Sequence, residues 1–193
     1  IQCRNSETEA TSIIQSGSWD DRRMPTSTEL KFLVSLNVVS GMDGITYFLY
    51  WTNIGEGGKV ALQGLMHYDG TPHPLYYTAK EINEGLSKMK GVFLDYDQHG
   101  YIFTNPPKEY WDFEKSVTCE KVILESFGPV RSVVSSGPVL SGCFENADGK
   151  KALYVMNFNM SAASGQTRDV YLDFLTNNTE YKVWDYTGLS KMD

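Results

Sequence analysis

Residues 44–51 (GITYFLYW) run from a glycine through β-branched, aromatic and aliphatic side chains with no polar alternation. A strand with one wet face alternates apolar and polar residues. A run without alternation fits a strand covered on both faces, as in a parallel sheet. Parallel strands cannot be joined by a tight turn and need a crossover, usually a helix. This run therefore calls for α/β architecture on both sides of it.

The flanking sequence supplies those parts. Residues 12–17 (SIIQSG) form a short apolar run that predicts a buried strand, followed by the polar loop SWDDRRMP. Pro25 then precedes Thr26-Ser27-Thr28-Glu29, which has the spacing of a capping box. Leu30, Leu33, Leu36 and Val39, with Phe32, predict the apolar stripe of a helix, and Gly41 stands where a left-handed cap would end it. After the apolar run comes NIGEGGK, read as a flexible loop. GLMHYDGTPHP follows, where Asp69-Gly70 and two prolines mark turns. Leu75, Ala79, Ile82, Leu86 and Met89 recur at helical spacing. Strand, helix, strand, helix is the rhythm of an α/β fold.

From about Tyr101 the pattern changes to short β-type runs: YIFTN, VTCEKVILESF, VRSVVSS, PVLSGCFE, KALYVMNFN, RDVYLDFL and EYKVWDY. Turn signals separate them, notably Asn146-Ala147-Asp148-Gly149, and two of the runs alternate in part. This predicts a small antiparallel β-sandwich. The expected division is residues 1–100 for the α/β part and 101–193 for the all-β part, with Pro106-Pro107 near the boundary. The chain opens at Ile1 without an initiator methionine and stops at Asp193 just after a strand-like run, which reads as a piece of something longer, its sandwich cut short at the C-terminus.

Charge and cysteine content narrow the function classes. A net charge of −7, a pI near 5.0 and no basic stretch argue against nucleic acid, whose phosphates need clustered Lys or Arg. No run of about 18 apolar residues is present to span a membrane. Cys3, Cys119 and Cys143 are too few for a disulfide framework and lack metal-ligand spacing; the odd count leaves at least one free thiol. GEGGKV at residues 55–60 resembles a phosphate loop, but Lys59 is followed by Val60 instead of Ser or Thr. His67, His73 and His99 form no helical pair, so no metal and no cofactor are expected. No GxSxG elbow occurs. The carboxylate pairs Glu7/Glu9, Asp20/Asp21 and Asp95/Asp97 fall in polar loops and read as solvated charge.

Aromatic residues remain. Trp51 falls at the carboxyl end of the predicted parallel strand, and Trp19 just beyond the end of the strand before it. Ligands bind at those ends in barrels and open α/β sheets. A Trp face can stack on the C–H face of a sugar while Gln15, Ser16, Thr52 and Asn53 bond its hydroxyls. Alternatively both tryptophans plug the top of the core.

Four groups of residues carry a resemblance: Pro25-Thr26…Glu29-Leu30, Gly41…Gly44-Ile45…Tyr47-Phe48…Tyr50-Trp51, Gly64-Leu65…Asp69-Gly70-Thr71-Pro72 and Tyr77…Lys80-Glu81-Ile82-Asn83. Together they resemble the end of the catalytic barrel of β-galactosidase-like glycoside hydrolases. LSGCFENADGKKALYVMNFN is similar to the small β-sandwich behind such barrels. The resemblance covers roughly residues 12–159. It implies strands 7 and 8 of a (β/α)8 barrel followed by the sandwich, with carbohydrate as ligand and an extracytoplasmic location. The acid/base glutamate of such barrels comes from strand 4, which this chain does not carry. The nucleophile would stand at the end of strand 7, where this chain has Gln15, which cannot attack an anomeric carbon. A retaining mechanism needs two carboxyls about 5–5.5 Å apart, and the chain offers no identifiable pair.

The expected function is thus part of a glycoside hydrolase, inactive alone, binding carbohydrate through Gln15, Trp19, Trp51 and Asn53. The alternatives are a non-catalytic carbohydrate-binding protein on a degenerate barrel, or a structural module that docks to a neighbour. The missing strands would come from the rest of the barrel or from a second copy, so the lone chain should not behave as a monomer.

Overall fold

The computed structural model describes residues 8–107, 123–159 and 169–175, and the backbone of 183–185 and 190–192. The chain forms two compact units. One comprises the described residues up to Val38 together with Met42–Lys90; the other comprises Val39–Gly41 and the described residues from Gly91 onward.

The first unit begins with β1 (Thr11–Gln15) and the two-residue β2 (Ser18–Trp19), followed by α1 (Ser27–Val39) and β3 (Gly44–Phe48). β1 and β3 pair in parallel, Thr11 opposite Gly44 through Gln15 opposite Phe48, so the strand–helix–strand unit expected from the sequence is present. The capping box forms as its spacing predicts. Thr26 Oγ1 accepts the Glu29 amide at 3.2 Å, and Glu29 Oε2 accepts the Thr26 amide at 2.8 Å. Arg23 donates to the same carboxylate, and that bond, with the Thr26 amide, holds Glu29 down to about 2. Gly41 takes a φ of 69°, the left-handed conformation its position after α1 requires.

The buried stripe of α1 differs from the expected one. Leu30 and Val39 are buried as predicted, but Val34 and Val38 join them, while Leu33 and Leu36 are half-buried. A spacing of four tracks the 3.6-residue helical turn from Leu30 as well as a spacing of three does. Which is used depends on what the helix packs against.

β4 (Asn53–Ile54) and β5 (Val60–Gln63) flank a short 3₁₀ turn at Glu56–Gly58. The segment read as a flexible glycine-rich loop is therefore the turn of a hairpin. Gly57 and Gly58 adopt φ of 69° and 73° there, which a side chain would oppose. β5 also pairs with β2, giving a three-stranded sheet ordered β2–β5–β4. α2 (Pro74–Phe93) starts with proline at its first position, as Pro's fixed φ favours. Leu30, Leu65, Leu75 and Ala79 form the buried cluster of this unit, with Met24, Tyr47, Tyr76 and Ile82 packed against it. Tyr47 donates its hydroxyl to Asn83 Oδ1 at 2.9 Å, and burial pushes that hydroxyl up to about 12.

The two faces of the β1–β3 pair differ, contrary to the expectation of cover on both. Directly opposed residues share a face. Ile14, at 3% exposure, and Tyr47 lie on the covered side. Ile13 at 72% and Phe48 at 43% lie on the other, which is open to solvent. Both strands are edges of this two-stranded sheet, and no barrel closes among the described residues.

In the second unit β6 (Tyr96–Thr104) pairs antiparallel with β8 (Val139–Asn146), which pairs with β9 (Lys151–Asn157). Residue 100, taken from the sequence as the domain limit, thus falls inside a continuous strand. β7 (Val130–Ser135) pairs with β10 (Val170–Phe174), and β11 (Val183–Asp185) with β12 (Ser190–Met192), all antiparallel. Ile102, Val130, Val133, Val139 and Cys143 form one cluster with Leu153, Val170, Leu172 and Phe174 around it, so the first two sheets share a core. Cys143 is a free buried thiol, pushed up to about 12 by burial. Cys3, Cys119 and most of EYKVWDY lie outside the described residues.

Candidate functional site

Three stretches of backbone meet just beyond the carboxyl ends of β1 and β3. Ser16 donates its amide to Phe48 O at 2.6 Å. Leu65 and Met66 donate theirs to Leu49 O and Tyr50 O, at 3.1 and 2.7 Å, and Thr52 donates to Met66 O at 2.9 Å. Met66 therefore holds the chain on either side of Trp51. Two glycines permit the approach. A Cβ on Gly64 would stand 2.7 Å from Tyr50 O and 2.9 Å from Leu49 O, and one on Gly17 would stand 2.5 Å from Gln63 O.

The residues expected to bond a ligand divide into two groups. Ser16 and Thr52 are buried and serve the backbone: Ser16 Oγ donates to Leu49 O at 3.4 Å, and Thr52 Oγ1 accepts the Gly64 amide at 3.0 Å. They brace the floor and offer nothing to a ligand. Gln15 is half spent. Its Nε2 donates to Gly17 O at 3.0 Å and Arg23 O at 2.7 Å, which uses both amide hydrogens and leaves Oε1 as an acceptor.

Trp51 is 46% exposed, more than a ring sealed in a core would be. Trp19 is half-buried and meets Phe48 edge to face, centroids 5.2 Å apart and planes at 89°. Trp19 and the exposed Asn53 both oppose Leu62 in the β2–β5–β4 sheet, one from each neighbouring strand, so they share a face of it. Tyr50, also exposed, adds an aromatic that the sequence reading placed only in a strand. The sequence does not reveal the bracing roles of Gly64 and Gly17, because a glycine's lack of a side chain does not announce which carbonyl will approach it.

The carboxylates near this end, Asp20 and Asp21, are exposed, as are Glu9, Asp95 and Asp97; Glu7 lies outside the described residues. Among the described residues no three His, Cys, Asp or Glu gather at metal-binding range. No helix there is long and apolar enough to cross a membrane. No family model, no curated protein and no solved structure matches this chain.

Proposed function

We propose that this chain is the sugar-binding wall of a glycoside hydrolase-like barrel, its last two strand–helix units followed by an antiparallel β-module, without a catalytic carboxylate pair of its own. The observation that carries this reading is Trp51: an exposed tryptophan three residues beyond Phe48, the carboxyl end of the parallel strand β3, with the backbone on both sides of it bonded through Met66. A backbone held in place leaves only the side-chain rotamers of Trp51 to be ordered when a sugar stacks on it. Gln15 Oε1 accepts from a sugar hydroxyl, and Trp19 and Asn53 border the same end. A non-catalytic carbohydrate-binding protein is the second reading. The Gln15 amide favours it, since a side chain bonded to Gly17 O and Arg23 O anchors the loop and does no chemistry.

Sugar binding measured on a glycan array and then by calorimetry tests the proposal. Trp51→Ala is expected to weaken binding about tenfold, or about 1.4 kcal/mol, with little loss of stability. Aryl glycosides should turn over no faster with the chain than in buffer. Unchanged sugar affinity alongside several kcal/mol of lost stability would return Trp51 to the core.

The barrel part of the proposal draws on the asymmetry of the β1–β3 pair. Both helices' apolar residues gather on one side, with Tyr47, while the side bearing Ile13, Thr46 and Phe48 stays open. An inward barrel face is open in this way until the other strands close it. The two free edges take parallel strands from the remainder of such a barrel or from a second copy. Light scattering on the purified chain should then report a mass above the 21.7 kDa of one copy. A monodisperse monomer that binds no hydrophobic dye would sink this part alone.

A further inference from the structure

His73 directly precedes Pro74, the first residue of α2, and caps the helix with its ring: Nδ1 accepts the Leu75 amide at 3.1 Å. A ring nitrogen accepts only while it carries no proton. A cation at this point would also oppose the positive end of the helix dipole, and the first turn of α2 has no acidic side chain to offset it. The ring of His67 lies 5.6 Å away, centroid to centroid, where a second positive charge repels the first.

The remaining ionisable neighbours are few. Asp69 is on the turn near His67, and its carboxylate accepts the Thr71 amide and hydroxyl at 2.9 and 2.6 Å. On α2 the adjacent titratable groups are the phenols of Tyr76 and Tyr77. Burial, and then His67, push His73 below its ordinary value. The same turn is tied to the aromatic wall. His73 donates its amide to Leu65 O at 2.9 Å and His67 donates to Thr71 O at 2.8 Å, while Met66 between them holds Tyr50 and Thr52.

We propose that His73 is a proton-sensitive positioning residue for Trp51: protonating its ring breaks the cap on α2 and loosens the 64–73 turn through which Met66 holds the tryptophan. The proposal concerns the same wall as the function above but does not depend on what binds there. The sign follows from the depressed value. The native state holds fewer protons on His73 than the unfolded chain does. The contribution of the cap is complete above the ordinary histidine value of about 6.5 and is lost as pH falls below it.

The test uses the full chain labelled with 5-fluorotryptophan, the Trp51 resonance being assigned by its loss in Trp51→Phe. Between pH 7.5 and 5 that resonance should move with a midpoint below about 6.5. His73→Asn keeps a side-chain acceptor suited to a helix N-cap but has no proton to gain. Its Trp51 resonance should sit where the native one does at neutral pH and stay there on acidification. His67→Gln leaves the cap intact and removes the repelling neighbour, so its midpoint should rise. A native Trp51 resonance that does not titrate, one that titrates equally in His73→Asn, or a midpoint unmoved in His67→Gln each overturns the proposal.

Discussion

Gly64→Ala should destabilise the first unit by about 3 kcal/mol or more. The new Cβ would meet Tyr50 C at 2.8 Å as well as the carbonyl oxygens of Tyr50 and Leu49. Those contacts are with backbone, which cannot rotate aside as a side chain can. Relief requires parting the segments, and parting them breaks the Leu65–Leu49 and Met66–Tyr50 bonds that carry Trp51. Denaturant unfolding should show the loss as a lower midpoint at an unchanged slope. Gly85→Ala is the control. That glycine lies within α2, a Cβ on it would meet no atom within 4 Å, and alanine should stabilise the helix by up to about 1 kcal/mol. Equal stability of Gly64→Ala and the native chain would show that the three segments do not pack as closely as described.

Leu30→Ala should cost about 3–4 kcal/mol. Leu30 has no solvent exposure and is shared between α1, the 64–73 turn through Leu65, and α2 through Leu75 and Ala79. Its loss leaves a cavity in the cluster that joins these segments. The polar ties across the helices, Ser27 to Thr78 at 2.9 Å and Lys31 to Glu81 at 3.0 Å, are at the surface or half-buried and cannot offset it. Thermal unfolding followed by circular dichroism measures the cost. A drop below 1 kcal/mol would mean that the cluster is not the core of this unit.

Locally coded features were legible in the sequence for a physical reason: each depends on residues a few positions apart. Thr26 and Glu29 satisfy each other's amides across three residues, so their spacing is itself the interaction. Gly41 ends α1 because its own backbone can be left-handed. The change from helical period to short β-runs after α2 follows from side-chain periodicity alone. The candidate site was legible in part. Trp51, Trp19 and Asn53 could be placed near the ends of strands by counting along runs. NIGEGGK was misread because glycines signal a turn without saying that the flanks will pair, and it is β2, more than thirty residues earlier, that completes the sheet with β5.

The sequence by itself determined the strand–helix–strand–helix order, the capped start of α1, the aromatic strand and the antiparallel character of the second half. Hydrophobic period and cap chemistry act within one or two turns of chain. Only the tertiary structure decided that the β1–β3 pair is covered on one face, that Ser16 and Thr52 are consumed by backbone partners, and that Gln15 retains just its acceptor. It also decided that Met66 grips the chain around Trp51. Each of these depends on which distant carbonyl or amide arrives at a given group. A donor's availability is what remains after the fold has used the rest.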